Sequence, residues 1–309
     1  MATFKDYVSI ARPDHWFKNV FMLPGMLFAW LYFEIDLTVS LLIKVILGVL
    51  ATCFIASANY VINEWLDAEF DRHHPVKKNR PSVSKNMDSR FVYLEYFILA
   101  VAGLSISYFI SWPFFFAELL LLIMGLIYNV KPFRSKDKAY LDVLSESINN
   151  PIRLVLGWYL FVPLVFPPLS ICVSYWMGGA FLMATKRFSE YRFINDKSVA
   201  GLYRKSFQYY NETRLLVSSF FYALTSSFFL GIFLIKNKIE LLISFPFFAL
   251  LFAWYLKIGF DDDSTAQRPE KLYTNKSFMA YVVLFSVLLI ALILLDIEPL
   301  NWFLTNKFE

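Results

Sequence analysis

Asn63, Glu64, Asp67 and Asp71 bring oxygen-bearing side chains to the end of an apolar stretch, and Asn63, Asp67 and Asp71 recur at every fourth residue. On a helix that spacing stacks the three on one face, with Glu64 beside them. Carboxylates crowded in this way repel one another and require a counter-charge. A hard divalent cation such as magnesium is the economical one, since it takes oxygen ligands and usually shares them with substrate phosphates. The plain alternative is a solvated acidic loop beyond the membrane edge. It accounts poorly for Asn63 and Glu64, which directly continue an apolar run where ionisable groups are costly.

A second group opens another apolar run. Asp142, Glu146, Asn149 and Arg153 recur at helical spacing and put two acids, an amide and a guanidinium on one face of an otherwise apolar segment. Such a face does not point at lipid. Either it lines a polar site, or Glu146 and Arg153 form an internal ion pair that staples the bundle. Pro151, in the same segment, is expected to kink its helix and free carbonyls near the same depth.

Between the two acidic groups lies a basic run, Arg72 to Pro81, with His73, His74, Lys77, Lys78 and Arg80; the connection after the sixth apolar run carries Lys186, Arg187, Glu190 and Arg192. No single lysine here is specific, because basic residues gather on the cytoplasmic side of any membrane protein. What exceeds that bias is the juxtaposition of acids for a metal with cations for phosphoryl oxygens, which is equipment for a substrate bearing a diphosphate. His74 precedes a proline and reads as a phosphate donor or loop-structuring residue ahead of a general base. The run Asp261, Asp262, Asp263 reads as a solvated loop.

These groups must be positioned by a membrane protein. Of 309 residues, 58% are hydrophobic and 19% aromatic against 17% charged, with a mean hydropathy of +0.52. That balance leaves no room for a sizeable soluble domain. Apolar runs fall at about 16–33, 40–65, 91–111, 113–130, 141–166, 169–186, 215–235, 240–260 and 277–295, close to the roughly 20 residues that one membrane-crossing helix needs. None alternates as a barrel strand does. The expected fold class is therefore all-α, a polytopic protein of about nine transmembrane helices forming a single domain over residues 1–309. Lysine and arginine concentrate before the first run and in the connections after the even-numbered ones, while only Lys236, Lys238 and Lys307 fall on the other side. This places the N-terminus in the cytoplasm and the C-terminus outside. Cys53 and Cys172 lie in apolar runs and read as buried small hydrophobes. A net charge of +4 is too small to indicate nucleic acid.

The first acidic group resembles a motif of the UbiA superfamily of intramembrane prenyltransferases: Asn63-Glu64-x-x-Asp67-x-x-x-Asp71 is similar to its first acidic motif, and Asp142-x-x-x-Glu146 stands where its second belongs. Within the superfamily the chain looks most like the decaprenyl-phosphate phosphoribosyltransferase branch. That finer likeness rests on Arg12-Pro13-x-x-Trp16-x-Lys18-Asn19, on His74-Pro75-x-Lys77-x-x-Arg80-Pro81, on Asp142-Val143 followed by Arg153, on Lys186-Arg187-x-x-Glu190 and, more weakly, on Pro269-Glu270.

The resemblance implies helices around a central cavity open to the cytoplasmic side, a bacterial inner-membrane location and magnesium as cofactor. It implies transfer of a 5-phosphoribosyl group from phosphoribosyl pyrophosphate to a polyprenyl phosphate, in cell-envelope biosynthesis. The alternative on the same fold is transfer of a prenyl chain from a polyprenyl diphosphate to an aromatic or lipid acceptor. By the same resemblance, Asn63, Glu64, Asp67, Asp71 and Asp142 would hold metal, and Asp67, Asp71, Asp142 and Arg153 would be catalytic. Lys18, Asn19, His74, Lys77, Arg80, Glu146, Asn149, Lys186, Arg187 and Glu190 would contact substrates. The expected partners are the polyprenyl phosphate lipid and a diphosphate-bearing donor; a homo-oligomer is compatible with this reading, and nucleic acid is not expected. A transporter coupling ions through intramembrane acids is a third reading, but it would set its acids near the midplane and not at span ends.

Overall fold

The computed structural model of the chain describes residues 2–73, 76–262, 264–295, 297 and 300. His74, Pro75 and Asp263 lie outside the described residues, as do the side chains of Pro269 and Glu270. Every regular element among the described residues is helical. In chain order the α-helices are α1 Phe4–Ile10, α2 Leu23–Phe33, α3 Val39–Asp71, α4 Pro81–Ser84, α5 Ser89–Ile110, α6 Trp112–Asn129 and α7 Leu141–Ser147. They continue as α8 Asn149–Phe161, α9 Leu169–Ile194, α10 Lys197–Tyr203, α11 Glu212–Asn237, α12 Phe245–Gly259 and α13 Lys276–Leu294.

Among the described residues, six segments are long and apolar enough to cross a membrane: α3, α5, α6, α11, the stretch Ile239–Gly259 that ends in α12, and α13. The other three expected spans depart from a simple apolar helix. The first is split into a 3-10 stretch, Pro13–Met22, followed by α2. The fifth breaks at Ile148 into α7 and α8. Pro151 therefore does not kink a continuous helix; it sits in the first turn of α8, where its missing N–H removes no helical hydrogen bond. The sixth, α9, runs unbroken for 26 residues but is more polar. Its helix continues to Ile194, so Lys186, Arg187 and Glu190 lie on α9 and not in a connecting loop.

The chain forms two compact units: residues 1–167 with 194–211, and residues 168–193 with 212–309. The first is organised by α3, which begins at a cap where the Thr38 hydroxyl accepts from the Leu41 amide at 3.2 Å. Its 33 residues extend about 50 Å at 1.5 Å per residue, well beyond a hydrocarbon core of roughly 30 Å. The surplus turns carry Asn63 to Asp71. Ala51, Ile55 and Ala58 of α3 pack with Leu121 and Leu122 of α6, Ile152 and Leu156 of α8, and Met22 and Met26 at the start of α2. A smaller cluster of Ile10, Val61, Met87 and Val92 ties α1 to α3 and α5.

In the second unit, α9 and α11 are joined by reciprocal bonds in which the Ser174 hydroxyl donates to the Ser226 carbonyl at 3.0 Å and the Ser226 hydroxyl to the Ser174 carbonyl at 2.9 Å. Ring pairs hold the rest: Phe181 with Phe252 at 4.8 Å, Phe188 with Phe260 at 4.7 Å and Phe248 with Phe285 at 4.6 Å. Small polar residues and interlocked rings are how helices associate where lipid removes the hydrophobic drive.

Candidate active site

The surplus turns of α3 hold the first acidic group in the first unit, and each acid there meets a basic side chain from a different segment. Asp71 is buried, and its Oδ2 accepts from Arg80 Nη1 at 2.6 Å. The Arg80 Nε lies 3.9 Å from Glu64 Oε2, and the Ser82 hydroxyl donates to Glu64 Oε1 at 3.5 Å. Asp67 Oδ1 pairs with Arg134 Nη2 at 3.0 Å and with the Lys136 ammonium. Asn63 donates from Nδ2 to Asn129 Oδ1 at 2.6 Å. Lys77 donates to the Tyr203 hydroxyl and lies over its ring. Among these, Lys136 is the group whose charge is least secure: burial foremost, with Arg134 and Arg204 near, pushes its ammonium down to about 8 from the ordinary 10.5, although Asp67 pulls the other way.

Asp142 lies in the first turn of α7. It is fully buried; its Oδ1 accepts from the Tyr210 hydroxyl at 2.7 Å, and its Oδ2 accepts from Ser206 at 3.1 Å and lies 3.8 Å from Arg204. These contacts fasten α7 to the 204–210 segment. No three His, Cys, Asp or Glu side chains gather closely enough to hold an ion among the described residues. Asp67 and Asp71 by themselves still suit magnesium in donor type, because that ion commonly takes one or two carboxylates and fills its shell with water and substrate phosphate. Each has its basic partner on a single oxygen, Asp67 on Oδ1 and Asp71 on Oδ2, and a carboxylate carries lone pairs on both.

Arg153 does not pair with Glu146. Its Nε donates to Asn19 Oδ1 at 3.0 Å and its Nη1 to the Asn149 carbonyl at 3.3 Å, and among the described residues it has no carboxylate at ion-pair distance. The reason is the break at Ile148, which separates the helices carrying Glu146 and Arg153. Asn19 donates to Cys53 Sγ at 3.1 Å, and Cys53 precedes Asp67 on α3 by 14 residues, or about 21 Å of helix. Arg153 therefore belongs to a deeper layer than the acids. Lys18 has its ammonium 5.5 Å from the Tyr60 ring, as Arg12 has its guanidinium at 5.7 Å. In the second unit, Arg187 Nη1 pairs with Glu190 Oε2 at 2.9 Å, both side chains being buried. Cys53 and Cys172 are free and buried.

Sequence reasoning missed Arg134, Lys136, Asn129 and the 203–210 segment. Arg134 and Lys136 were visible only as part of the basic bias after the fourth apolar run, and nothing local ties them to an acid 67 or more residues earlier. Asn129 did leave a trace, as a polar side chain closing an otherwise apolar run.

Against known proteins, the model of the UbiA prenyltransferase family matches residues 20–281. A decaprenyl-phosphate phosphoribosyltransferase of Mycolicibacterium smegmatis is 28% identical over 215 residues, which cover 67% of this chain and 63% of that protein. The enzyme of the same name from Mycobacterium tuberculosis is 27% identical over 220 residues, 67% of each chain. A UbiA homologue from Archaeoglobus fulgidus, solved with GPP and Mg2+, superposes with a TM-score of 0.70 at 21% identity, over 94% of this chain and all of that one. A family match over most of the length, membrane-length apolar helices and the shared fold agree: the chain belongs to the UbiA prenyltransferase family and is an integral membrane transferase.

Proposed function

We propose that the protein transfers a 5-phosphoribosyl group from phosphoribosyl pyrophosphate to a polyprenyl phosphate and releases diphosphate. The observation that carries this reading is the density of basic groups at the α3 acids: Arg80, Arg134 and Lys136 on the carboxylates themselves, with Lys77 on Tyr203 beside them. The names of the two mycobacterial relatives agree with it.

In this mechanism the bond between the anomeric carbon and the diphosphate oxygen breaks, and an oxygen of the lipid phosphate forms the new bond to that carbon. Asp67 and Asp71 would hold magnesium, which when bound neutralises diphosphate charge as it develops. Arg80, Arg134 and Lys136 turn from their carboxylates to the leaving oxygens, where cations aimed at developing charge act most strongly. The nucleophile is already an anion, so no strong base is required. That suits a site rich in cations in which the nearest candidate carboxylates are all engaged.

Purified protein incubated with magnesium and radiolabelled phosphoribosyl pyrophosphate, with and without polyprenyl phosphate, tests this directly. Label entering the lipid phase only when both are present is the expected result. Absence of labelled lipid, with turnover of a polyprenyl diphosphate and an aromatic or lipid acceptor instead, overturns it in favour of prenyl transfer.

A further inference from the structure

The helices α3 and α6 run side by side in one register. Thr52 meets Glu118, and Asn63 meets Asn129, in each case 66 residues apart, and a side chain at Gly125 would collide with Asn59. This register brings the last residue of α6 against the first residue of the acidic motif. Asn129 is buried, and each polar group of its side chain is used. Its Nδ2 donates to the Gly125 carbonyl at 2.9 Å, while its Oδ1 accepts from Asn63 at 2.6 Å and from Lys136 at 2.7 Å. Its backbone carbonyl accepts from Arg134 Nη1 at 2.9 Å.

We infer that Asn129 is a positioning residue for the diphosphate site, acting through Asn63, Arg134 and Lys136. An amide has a donor end and an acceptor end, so the bond to the Gly125 carbonyl fixes which end faces the site. The Asn129 oxygen then requires the amino end of Asn63, which turns the Asn63 oxygen away from Asn129 as the end left for a metal or a phosphate hydroxyl. The same oxygen of Asn129 and its backbone carbonyl anchor the two cations that reach Asp67. Arg134 needs such an anchor. Its φ of 28° is a left-handed conformation that side chains beyond glycine adopt at a cost, and it persists where the surroundings hold it. Supporting residues of this kind govern affinity through the groups they orient.

The inference rests on the reading of the α3 acids as a magnesium diphosphate site, and magnesium pyrophosphate is the probe that tests both. Asn129→Leu keeps the volume and removes the amide; it is expected to weaken magnesium pyrophosphate by about tenfold or more in calorimetry, with the melting temperature held within a few degrees. Asn129→Asp, which keeps an acceptor for Asn63 and Lys136, is expected to recover part of that affinity. Asn63→Ala combined with Asn129→Leu should lose much less than the product of the single losses, since the two act as one unit. Unchanged affinity in Asn129→Leu, or losses in the double variant that multiply, overturns the positioning role. If Asn129→Leu fails to fold, Asn129→Ala takes its place, and equal weakening by Asn129→Asp and Asn129→Ala overturns the role as well. Wild-type protein that binds no magnesium pyrophosphate overturns instead the underlying reading of the site.

Discussion

At the scale of single residues, the Lys136 ammonium stands between the Asp67 carboxylate and the Asn129 amide oxygen. Asp67 and Asp71 announce themselves by spacing on an apolar helix, but the group that sets the chemistry beside them is Lys136, whose burial holds its ammonium near pH 8. Its consequence for stability has a definite sign. The unfolded chain keeps this proton up to about 10.5 and the folded chain loses it near 8, so between those values the unfolded state binds more protons and stability rises with pH. The cost of burying the charge is present below about pH 8 and relieved above it. Catalysis runs the other way, because a neutral Lys136 holds neither Asp67 nor a diphosphate. The donor kcat/KM is expected to fall as pH rises through about 8, and Lys136→Arg, which stays protonated, should move that fall to higher pH. A pH profile unchanged in Lys136→Arg assigns the alkaline limb to another group and removes Lys136 from the site.

At the scale of elements, periodicity predicted helices well where composition was uniform and poorly where polar residues served the site. The segment 141–166 reads as one span, yet the chain breaks it at Ile148 and so parts Glu146 from Arg153. Arg153 lies on α8, whose backbone comes close to the segment 22–25. A Cβ added to Gly25 would stand 1.9 Å from the Leu154 carbonyl oxygen, and one added to Gly157 would stand 2.0 Å from the Met22 carbonyl oxygen. Both obstacles are backbone, which cannot swing aside as a side chain can. Gly157→Ala is therefore expected to destabilise the protein by about 1 to 3 kcal/mol as an overpacking change, beyond the gain in helix propensity of about 1 kcal/mol. Thermal melts in detergent measure it, and a melting temperature equal to wild type removes the claim that the two backbones touch.

At the scale of the whole molecule, donor identity is the open chemical choice, and it turns on charge. Phosphoribosyl pyrophosphate carries a 5-phosphate that a prenyl diphosphate lacks, and each charge-assisted contact to it is worth roughly 1.5 to 3 kcal/mol. Replacing Lys77, which in the same unit meets Tyr203 beside the α3 acids, by alanine is expected to weaken phosphoribosyl pyrophosphate at least about tenfold, since about 1.4 kcal/mol is one decade, while inorganic pyrophosphate as a competitive inhibitor is affected less. Equal losses for both ligands would confine Lys77 to the diphosphate and favour a prenyl donor.

By itself the sequence determined that this is a helical membrane protein with an acidic face at the end of its second apolar run, because hydropathy and the 3.6-residue repeat are local properties that survive any packing. The family likeness was legible for the same reason, its motifs being short and contiguous. Only the tertiary structure decided that Arg80 meets Asp71, that Arg134 and Lys136 meet Asp67, that Asp142 is held by Tyr210, and that Asn129 accepts from Asn63. Those pairings follow from the register between α3 and α6 and from where the connecting segments close. Many basic residues compete for a few acids on the same side of the membrane, and no property of the residues taken singly ranks one pairing above another.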